Sequence, residues 1–546
     1  MTSRSLGHRA PLLWLVLPLM AGLVAGKMSD GLPVRWLLAG SALTAGLAVV
    51  AGGRGGRWTW RLALGTAMIL AGAASYTLNR PRLAAWETLP PREVRVALQV
   101  DRVFPKAETW KTAGLATVVR ADAPVQELAG QRVYFSLTLR PGQPAPIRGA
   151  VVGVSGVIAV LPRDPPANSF DGYLASAGLN FRLTRGRVLT EEQPAPAYRR
   201  FCARALAKFS AILGAGVEAK RPALVAVLRA MLLGQQHELN EEQITLFRQS
   251  GTMHVFSISG LHIAVIAGGL NALLALVRLP RSAGLVIGLT ALWLYVDITG
   301  AAPSAVRAFV MVALVQISFV LRVPRNPLAA LAASALCVLL LTPLDLFSAS
   351  FQMSYGIVLA LLLLGLPLAD RWQEAAALFR DLPKATWRWH QYLRDHLWRG
   401  LVAATAIGVA SSLVSAVTGA QFFNLFTPGA LLANLWLIPA SSLVILLGLV
   451  SLLGGLAGLT AVSALANHAA VLVLWAVDRG VHANLQLPGM WVAAGFRAAW
   501  LGPAMLAVLT ASILAGYAAG WRGWSRGYWP PFAVVLLALV LGVKFG

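Results

Sequence analysis

The sequence predicts a polytopic α-helical membrane protein that carries one small β domain near its N-terminal end. Hydrophobic residues make up 57% of the 546 residues, and only 12% are charged. The mean hydropathy is +0.67, which is more apolar than a water-soluble domain requires. Many apolar runs approach the roughly 20 residues that cross a bilayer, so we expect about 13 transmembrane helices.

The predicted transmembrane helices form two groups, one before and one after a long polar stretch. We place them near residues 11–26, 33–51, 61–78, 253–277, 283–298, 303–321, 326–343, 350–366, 400–418, 428–448, 456–477, 499–519 and 530–545. The predicted domains are N-terminal helices (1–78), a β domain (79–200), an amphipathic connector (201–252) and a main membrane domain (253–546). In the connector, Asn240 and Gln243 have the spacing of a helix capping box.

Positive charge predicts how the helices are oriented. There are 46 Lys+Arg against 22 Asp+Glu, a net charge of +24 that suits anionic lipid headgroups as well as nucleic acid. Arg4, Arg9 and a basic loop at 54–61 predict a cytoplasmic N-terminus, which makes the β domain extracytoplasmic. The later cytoplasmic loops are the basic ones, at 278–281, 322–325, 371–399 and 522–526. Because residues 371–399 mix arginine with tryptophan, we expect an amphipathic segment on the membrane surface.

Alternating apolar residues predict the β domain. Val94, Val96, Leu98 and Val100 repeat with the period of a half-buried strand, as do Val133, Phe135, Leu137 and Leu139. About five short strands suit a compact barrel such as an OB-fold, with a small sandwich as the rival. The domain holds 17 Lys+Arg and 10 Asp+Glu interleaved with aromatic residues, which either fill the core or stack on single-stranded nucleic acid. The candidates for such binding are Arg132, Tyr134, Tyr173, Arg182 and Arg185.

No motif for phosphate binding, metal ligation or hydrolysis is present, so we expect neither an enzyme nor a cofactor or metal site. The informative residues are polar ones inside apolar helices, because each costs free energy unless it faces a partner or water. Ser259 and His262 are expected to share a helix face, with His262 about 13 Å below the outer end of the helix. Arg307 lies one turn into a helix that begins at Pro303, and Asp297 is its expected partner. The candidates are His254, Ser257, Ser259, His262, Pro303, Ser304, Arg307, Ser350, Gln352, Ser354 and Asn434.

Several segments together resemble the ComEC/Rec2 family of competence proteins, which carry transforming DNA across the cytoplasmic membrane. The most distinctive runs from Gly251 to Ile263, with sequence GTMHVFSISGLHI, and follows Leu232, Leu233 and Gly234. Pro303 with Arg307, the run SFQMSY at 350–355, and Asn434 to Pro439 follow in the family's order. Near the front, the run NSFDGYL at 168–174 is similar to the segment that closes the family's OB-like domain.

The resemblance implies a channel in the inner membrane that conducts single-stranded DNA. It also implies an external DNA receptor, a separate nuclease and a cytoplasmic motor or helicase as partners, beside membrane lipids. Many members continue into a metallo-β-lactamase-like domain, which does not follow Gly546 here, so the chain is expected to be either a short member or part of a longer protein and to bring no nuclease. A small-solute transporter and an intramembrane serine hydrolase are the alternative functions.

Overall fold

A computed structural model of the protein describes residues 10–29, 33–54, 56–81, 83–87, 89–108, 110–322, 326–379, 382–383 and 386–546. Five basic residues used in predicting the orientation lie outside these ranges: Arg4, Arg9, Arg325, Arg380 and Lys384.

Three apolar helices open the chain, as predicted. Helix α1 spans Leu13–Met28, α2 spans Val34–Gly53 and α3 spans Arg57–Asn79. Helix α3 packs against both α1 and α2. It leads directly to the β domain, so this domain is inserted between membrane helices.

The β domain is a closed five-stranded barrel. Its strands are β1 (Arg92–Pro105), β2 (Lys111–Ala121), β3 (Arg132–Thr138), β4 (Val151–Val160) and β5 (Phe181–Gln193). They are hydrogen-bonded in the order β1-β2-β3-β5-β4, and β4 closes the barrel by pairing with β1. The predicted inward residues of β1 and β3 are all buried in its core. A barrel rather than a sandwich therefore forms, with a short helix α4 (Phe170–Ser176) between β4 and β5.

Three helices connect the barrel to the main membrane domain: α5 (Ala197–Gly214), α6 (Pro222–Leu233) and α7 (Glu241–Gln249). Asn240 and Gln243 form the predicted capping box at the start of α7. Helix α6 belongs to the connector that was predicted to be amphipathic, and it is largely buried. Nine of its 12 residues are buried, and eight of these belong to the largest apolar core, because the helix packs against α5, α14 and α15.

Ten further helices follow. They are α8 (Gly260–Leu276), α9 (Arg281–Ile298), α10 (Pro303–Val320), α11 (Pro327–Leu341), α12 (Ala349–Ala375), α13 (Trp389–Phe422), α14 (Ala430–Leu456), α15 (Thr460–Gln486), α16 (Leu501–Ala518) and α17 (Trp529–Gly542). Among the described residues, nine helices are long and apolar enough to cross a membrane. The shorter apolar helices α1, α8, α11 and α17 cover the other predicted spans. A polytopic helical membrane protein with a small β barrel is thus confirmed, and the number of spans stays a prediction.

The predicted surface segment 371–399 is divided between two long helices. Helix α12 continues to Ala375, and α13 begins at Trp389, so both ends of the segment extend membrane helices. Hydrogen bonds from Gln373 to the Arg399 carbonyl (3.1 Å) and from Trp398 to the Ala376 carbonyl (2.7 Å) hold the two helices together. The described part of this segment is a helical hairpin, and its position on the membrane surface stays a prediction.

A small three-stranded sheet joins distant loops of the membrane domain. Its strands are β6 (Leu425–Phe426), β7 (Val492–Phe496) and β8 (Val543–Phe545), in the order β6-β7-β8. They lie after α13, after α15 and after α17. The sheet therefore places these three points of the chain on one side of the helices.

Candidate functional site

Five membrane helices form a closed ring in which each helix packs against the next. Helix α8 contacts α10, α10 contacts α12, α12 contacts α13, α13 contacts α14, and α14 returns to α8. We call these five helices the helix ring. Every membrane-domain candidate from the sequence lies on one of them or in the turn that leads into α8.

The candidate residues share one end of the helix ring. Successive helices joined by short connections run antiparallel, so the N-termini of α8, α10, α12 and α14 lie on the same side as the C-terminus of α13. His262, Arg307, Ser350 and Asn434 lie in the first two turns of their helices. We call this side the polar end. The sheet of β6, β7 and β8 lies on the same side.

The beginning of α8 differs from the prediction. The helix starts at Gly260 rather than near Met253, and Ser259 is its extended N-cap residue. His262 therefore lies in the first helical turn, not deep in the helix, and it does not share a helix face with Ser259. Instead its Nδ1 atom accepts a hydrogen bond from the Ser259 amide (3.3 Å) and lies 2.8 Å from the Ser259 hydroxyl. His262 is fully buried.

His254 and Ser257 lie in the turns before α8 rather than on it. His254 is exposed, with Nδ1 3.2 Å from the Gly251 carbonyl, and the Ser257 hydroxyl donates to the His254 carbonyl (3.3 Å). Between the neighbouring helices α8 and α10, the Ser304 hydroxyl donates to the Ile258 carbonyl at 2.7 Å. Ser304 follows Pro303, the first residue of α10, so this bond fixes the start of α10 beside the start of α8.

Arg307 is the largest fully buried side chain of the described residues, with 1% exposure. Its Nη2 atom donates to the Ser350 carbonyl (2.8 Å) and hydroxyl (2.5 Å), which links α10 to α12. Its Nη1 atom lies 3.8 Å from the Asp345 carboxylate. Asp345 belongs to a short turn, Pro343–Phe347, that precedes α12.

The predicted pairing of Arg307 with Asp297 is wrong. Asp297, buried at the end of α9, accepts hydrogen bonds from Arg148 of the β domain (2.9 Å) and Arg199 of α5 (2.6 Å). Arg148 is 149 residues away in the chain, so only the tertiary structure brings the two together. The carboxylate fastens the β domain to the membrane helices.

Amide side chains complete the polar end. Gln352 donates to the Leu346 carbonyl (3.0 Å) and accepts from Gln421 of α13 (3.4 Å). Gln421 was missed by the sequence analysis, because it follows an apolar run at the very end of α13. Asn434 in α14 and Ser354 in α12 are half-buried.

Buried polar atoms without a protein partner accumulate at the polar end. They are His262 Nε2, Arg307 Nε and Nη1, Gln421 Oε1 and Asn434 Oδ1, on four of the five ring helices. The other described residues with such an atom, Gln235, Asp395, Asn467 and Asn484, lie away from this end or outside the ring. Buried polar groups almost always have hydrogen-bond partners. The arrangement therefore suits water or a polar ligand inside the ring.

The barrel presents an aromatic surface that includes two of the five candidates in the β domain. Tyr134 packs on Phe170 (5.1 Å between ring centroids), Phe170 stacks on Tyr173 (6.0 Å), and Tyr173 lies 6.3 Å from Phe104. We call these four rings the aromatic platform. Phe170 is 52% exposed and Tyr173 37% exposed, whereas Trp86 and Phe181 fill the barrel core.

The basic candidates of the barrel have distinct surroundings. Arg182 lies 3.7 Å from Asp171, and Arg132 donates to the Ala177 carbonyl at 2.9 Å, so both lie beside the α4 segment that carries Phe170 and Tyr173. Arg102, which the sequence analysis missed, lies over the Phe104 ring (5.3 Å). Arg185 is exposed further along β5 at a left-handed φ of 53°.

The barrel lies against the polar end of the helix ring. Gly178 has a φ of +80°, and the position that a Cβ would take there is 3.0 Å from Leu344 and 3.8 Å from the Arg132 guanidinium. Leu344 precedes Asp345. Burial raises the pKa of the Asp345 carboxyl, while the positive charges of Arg307, Arg132 and Arg102 act against the rise. The Asp345 carboxyl group is thus subject to positive charge from both the barrel and the ring.

Comparison with known proteins agrees with this architecture. The family model described as "Competence protein" matches residues 231–519, more than half of the chain. The chain belongs to the competence protein family. ComE operon protein 3 of Bacillus subtilis (strain 168) is 30% identical over 142 residues, which cover 26% of this chain and 18% of that relative. No solved structure matches.

The family match covers the part of the chain that forms the helix ring. It begins within α6 and ends just after α16, so all five ring helices and the polar end lie inside it. The barrel and helices α1–α3 lie before it. In the described residues, no group of three or more His, Cys, Asp or Glu side chains is placed to hold a metal ion.

Proposed function

We propose that this competence protein is a channel that conducts one strand of transforming DNA across the cytoplasmic membrane. The observation that carries the proposal is the set of buried, unpartnered polar atoms on four helices of one ring, all at the same end. A lipid-facing surface cannot satisfy such atoms. Water and the phosphates and bases of a strand can.

The size of the helix ring supports passage of a single strand rather than a duplex. An idealised ring of five helices at roughly 10 Å spacing has axes about 8.5 Å from its centre, and helix bodies of about 5 Å radius would leave a space about 7 Å across. A duplex, whose major groove alone is about 12 Å wide, does not fit. A single strand fits once the helices move slightly apart.

We assign roles to the residues of the polar end from their chemistry. Arg307 contacts phosphate, because guanidinium groups bind phosphate oxygens through two hydrogen bonds. Hydroxyl, imidazole and amide side chains form the wall and exchange hydrogen bonds with the strand. The wall residues are Ser259, His262, Ser350, Gln352, Ser354, Gln421 and Asn434. Pro303, Ser304, His254 and Ser257 shape the rim.

The aromatic platform is the proposed first contact of the strand. Stacking of bases on aromatic rings contributes about 1–3 kcal/mol per base and tolerates any sequence. Arg102, Arg132 and Arg182 beside the platform supply positive charge for the backbone. Since the barrel touches the Pro343–Phe347 turn, a strand on the platform lies next to the polar end.

The proposed orientation places the barrel and the polar end outside the cytoplasm and the N-terminus inside. The described parts of the basic connections at 278–281, 371–399 and 522–526 follow or precede the helix ends opposite the polar end, which suits the positive-inside rule. An external receptor, a separate nuclease and a cytoplasmic motor or helicase are the proposed partners. Passive conduction needs such a motor to supply energy.

Uptake of labelled DNA into a DNase-protected state tests the channel. In cells with matched membrane expression, Arg307→Gln and His262→Trp should each lower uptake roughly tenfold or more while surface binding of DNA persists. Arg322→Gln, at the other end of α10, and Leu273→Trp, at an exposed position of α8, are the matched controls and should leave uptake unchanged. Normal uptake in both test variants would show that the DNA path does not run through the polar end.

An intramembrane serine hydrolase is the second candidate, because the Ser259 hydroxyl lies 2.8 Å from His262 Nδ1. A catalytic histidine also needs a group that orients its second nitrogen, and His262 Nε2 has no such partner among the described residues. Ser259→Ala separates the two functions. A hydrolase loses all activity with this variant, whereas the channel keeps most of its DNA uptake.

A further inference from the structure

Asp345 and Arg307 face each other at the polar end without a hydrogen bond between them. The closest approach is 3.8 Å, while the same guanidinium donates twice to Ser350. Arg307 Nε and Nη1 have no hydrogen-bond partner in the described chain. These two nitrogens remain able to donate to an anion that comes closer than the carboxylate does.

The surroundings of Asp345 contain more positive than negative charge. Arg307 of the helix ring lies 3.8 Å from it, and the positive charges of Arg132 and Arg102 of the barrel act on the same carboxyl group. Asp345 keeps 22% of its side-chain surface exposed, so solvent reaches it, whereas Arg307 is 1% exposed. The Thr342 hydroxyl donates to the carboxylate at 3.2 Å, and the Pro343–Phe347 turn that carries it lies between two helices.

We propose that Asp345 is a resident counter-anion that holds the place of a phosphodiester between Arg307 and the arginines of the barrel, and that a DNA strand enters the helix ring by replacing it. This inference rests on the proposed channel function and adds a resting state to it. A phosphodiester oxygen can accept a hydrogen bond of about 2.7–2.9 Å from either of the two free nitrogens, which lie on different edges of the guanidinium. The carboxylate at its present distance does not.

Two consequences follow for the resting protein. A counter-anion keeps the buried Arg307 charge compensated when no strand is bound, which matters because an unpaired buried charge is strongly destabilising. It also makes opening selective, since a neutral polymer gains nothing from displacing a carboxylate. The arginines of the barrel, reached first, hold the incoming phosphates close enough to compete.

Binding of a fluorescent single-stranded oligonucleotide to the full chain in lipid nanodiscs tests the proposal. Asp345→Asn keeps the size of the side chain and its contact with Thr342 but removes the competing charge. We expect roughly tenfold tighter binding, measured by fluorescence anisotropy. Asp478→Asn is the matched control: it makes the same charge change beside His482 in α15, outside the helix ring, and should change nothing.

The tighter DNA binding of the Asp345→Asn variant should depend on Arg307. In the double variant Arg307→Gln with Asp345→Asn, the increase should vanish, which a double-mutant cycle measures directly. Arg307→Lys, which keeps the positive charge, serves if the glutamine variant unfolds, and it should keep part of the gain. Thermal unfolding of each variant shows whether it is folded, so that DNA binding is compared only between folded proteins.

These experiments distinguish failure of the counter-anion proposal from failure of the proposed phosphate site. If Asp345→Asn binds DNA no better than the parent protein while Arg307→Gln abolishes uptake, the counter-anion is overturned and the channel stands. If Arg307→Gln leaves both uptake and binding unchanged, the phosphate site is overturned, and the counter-anion falls with it.

Discussion

The Arg199 guanidinium donates a 2.6 Å hydrogen bond to Asp297, and Arg148 of the β domain donates to the same carboxylate oxygen at 2.9 Å. One buried carboxylate thus joins the barrel, helix α5 and the end of α9. The barrel is held at a defined place relative to the helix ring, which the proposed transfer of a strand from platform to ring requires.

Asp297→Asn should weaken the contact between the barrel, helix α5 and helix α9 and lower the stability of the protein. The variant leaves two arginines without their anion, and because both are partly exposed we expect a loss of about 1–2 kcal/mol rather than the larger value of a fully buried pair. Thermal unfolding of the purified protein in detergent measures it. Asp478→Asn, which breaks the exposed contact with His482, should cost almost nothing, and an equal loss in both variants would contradict the role of Asp297.

Helices α1 and α3 pack closely through glycine. A Cβ on Gly72 would lie 2.4 Å from the Leu19 carbonyl oxygen, whereas one on Gly65 of the same helix would meet nothing within 4 Å. Small residues allow membrane helices to approach in this way. Gly72→Ala should therefore lower the thermal stability of the protein. Gly65→Ala should be neutral or raise it slightly, since alanine favours the helix by about 0.5–1 kcal/mol; destabilisation by both variants alike would contradict the packing.

The aromatic platform should contribute to binding single-stranded DNA. Phe170→Ala and Tyr173→Ala should each weaken oligonucleotide binding by about 1–3 kcal/mol if one base stacks on each ring. The full chain in nanodiscs is titrated at several salt concentrations. Trp110→Ala removes an aromatic side chain that is 51% exposed on the same barrel but outside the platform. A similar loss with this control would indicate that the platform has no special role.

Variants of Asn434 and Asn467 should affect different properties of the protein, DNA uptake for Asn434 and thermal stability for Asn467. Both residues leave Oδ1 without a partner, but Asn467 also donates from Nδ2 to the carbonyls of Ile212 (2.8 Å) and Ala215 (3.1 Å). Replacing an unsatisfied buried group by an apolar one of similar size is nearly neutral or stabilising, while removing a satisfied partner costs about 1–3 kcal/mol.

Asn434→Leu should therefore keep the thermal stability of the protein and lower DNA uptake. Asn467→Leu should lower the stability. Membrane levels, unfolding temperature and protected DNA are measured for both variants. An Asn434→Leu protein with normal uptake would show that this amide does not line the path.

Most of the membrane architecture could be predicted, because long apolar runs and basic loops are properties of consecutive residues. The barrel could be predicted for the same reason, from the alternation in β1 and β3. The start of α8 could not. The run from Met253 to Ile258 is apolar enough for a helix, but Phe256 stacks on Phe247 (3.6 Å between centroids), and the chain stays non-helical until Ser259 caps α8.

The candidate site was predicted in part. Its residue types could be recognised, since polar side chains are unusual inside apolar helices. Their partners could not: Arg307 was expected to meet Asp297 and instead meets Ser350 and Asp345, and Gln421 reaches Gln352 from 69 residues away.

The amino-acid sequence by itself determined that this protein lies in a membrane, where its helices run, which stretch forms a barrel and to which family it is similar, because hydrophobicity, alternation and motifs are local. The tertiary structure alone decided that five particular helices close into a ring, that their polar residues gather at one end, and that Asp345 rather than Asp297 stands beside Arg307. Those relations depend on how helices distant in the chain pack, which no local pattern encodes.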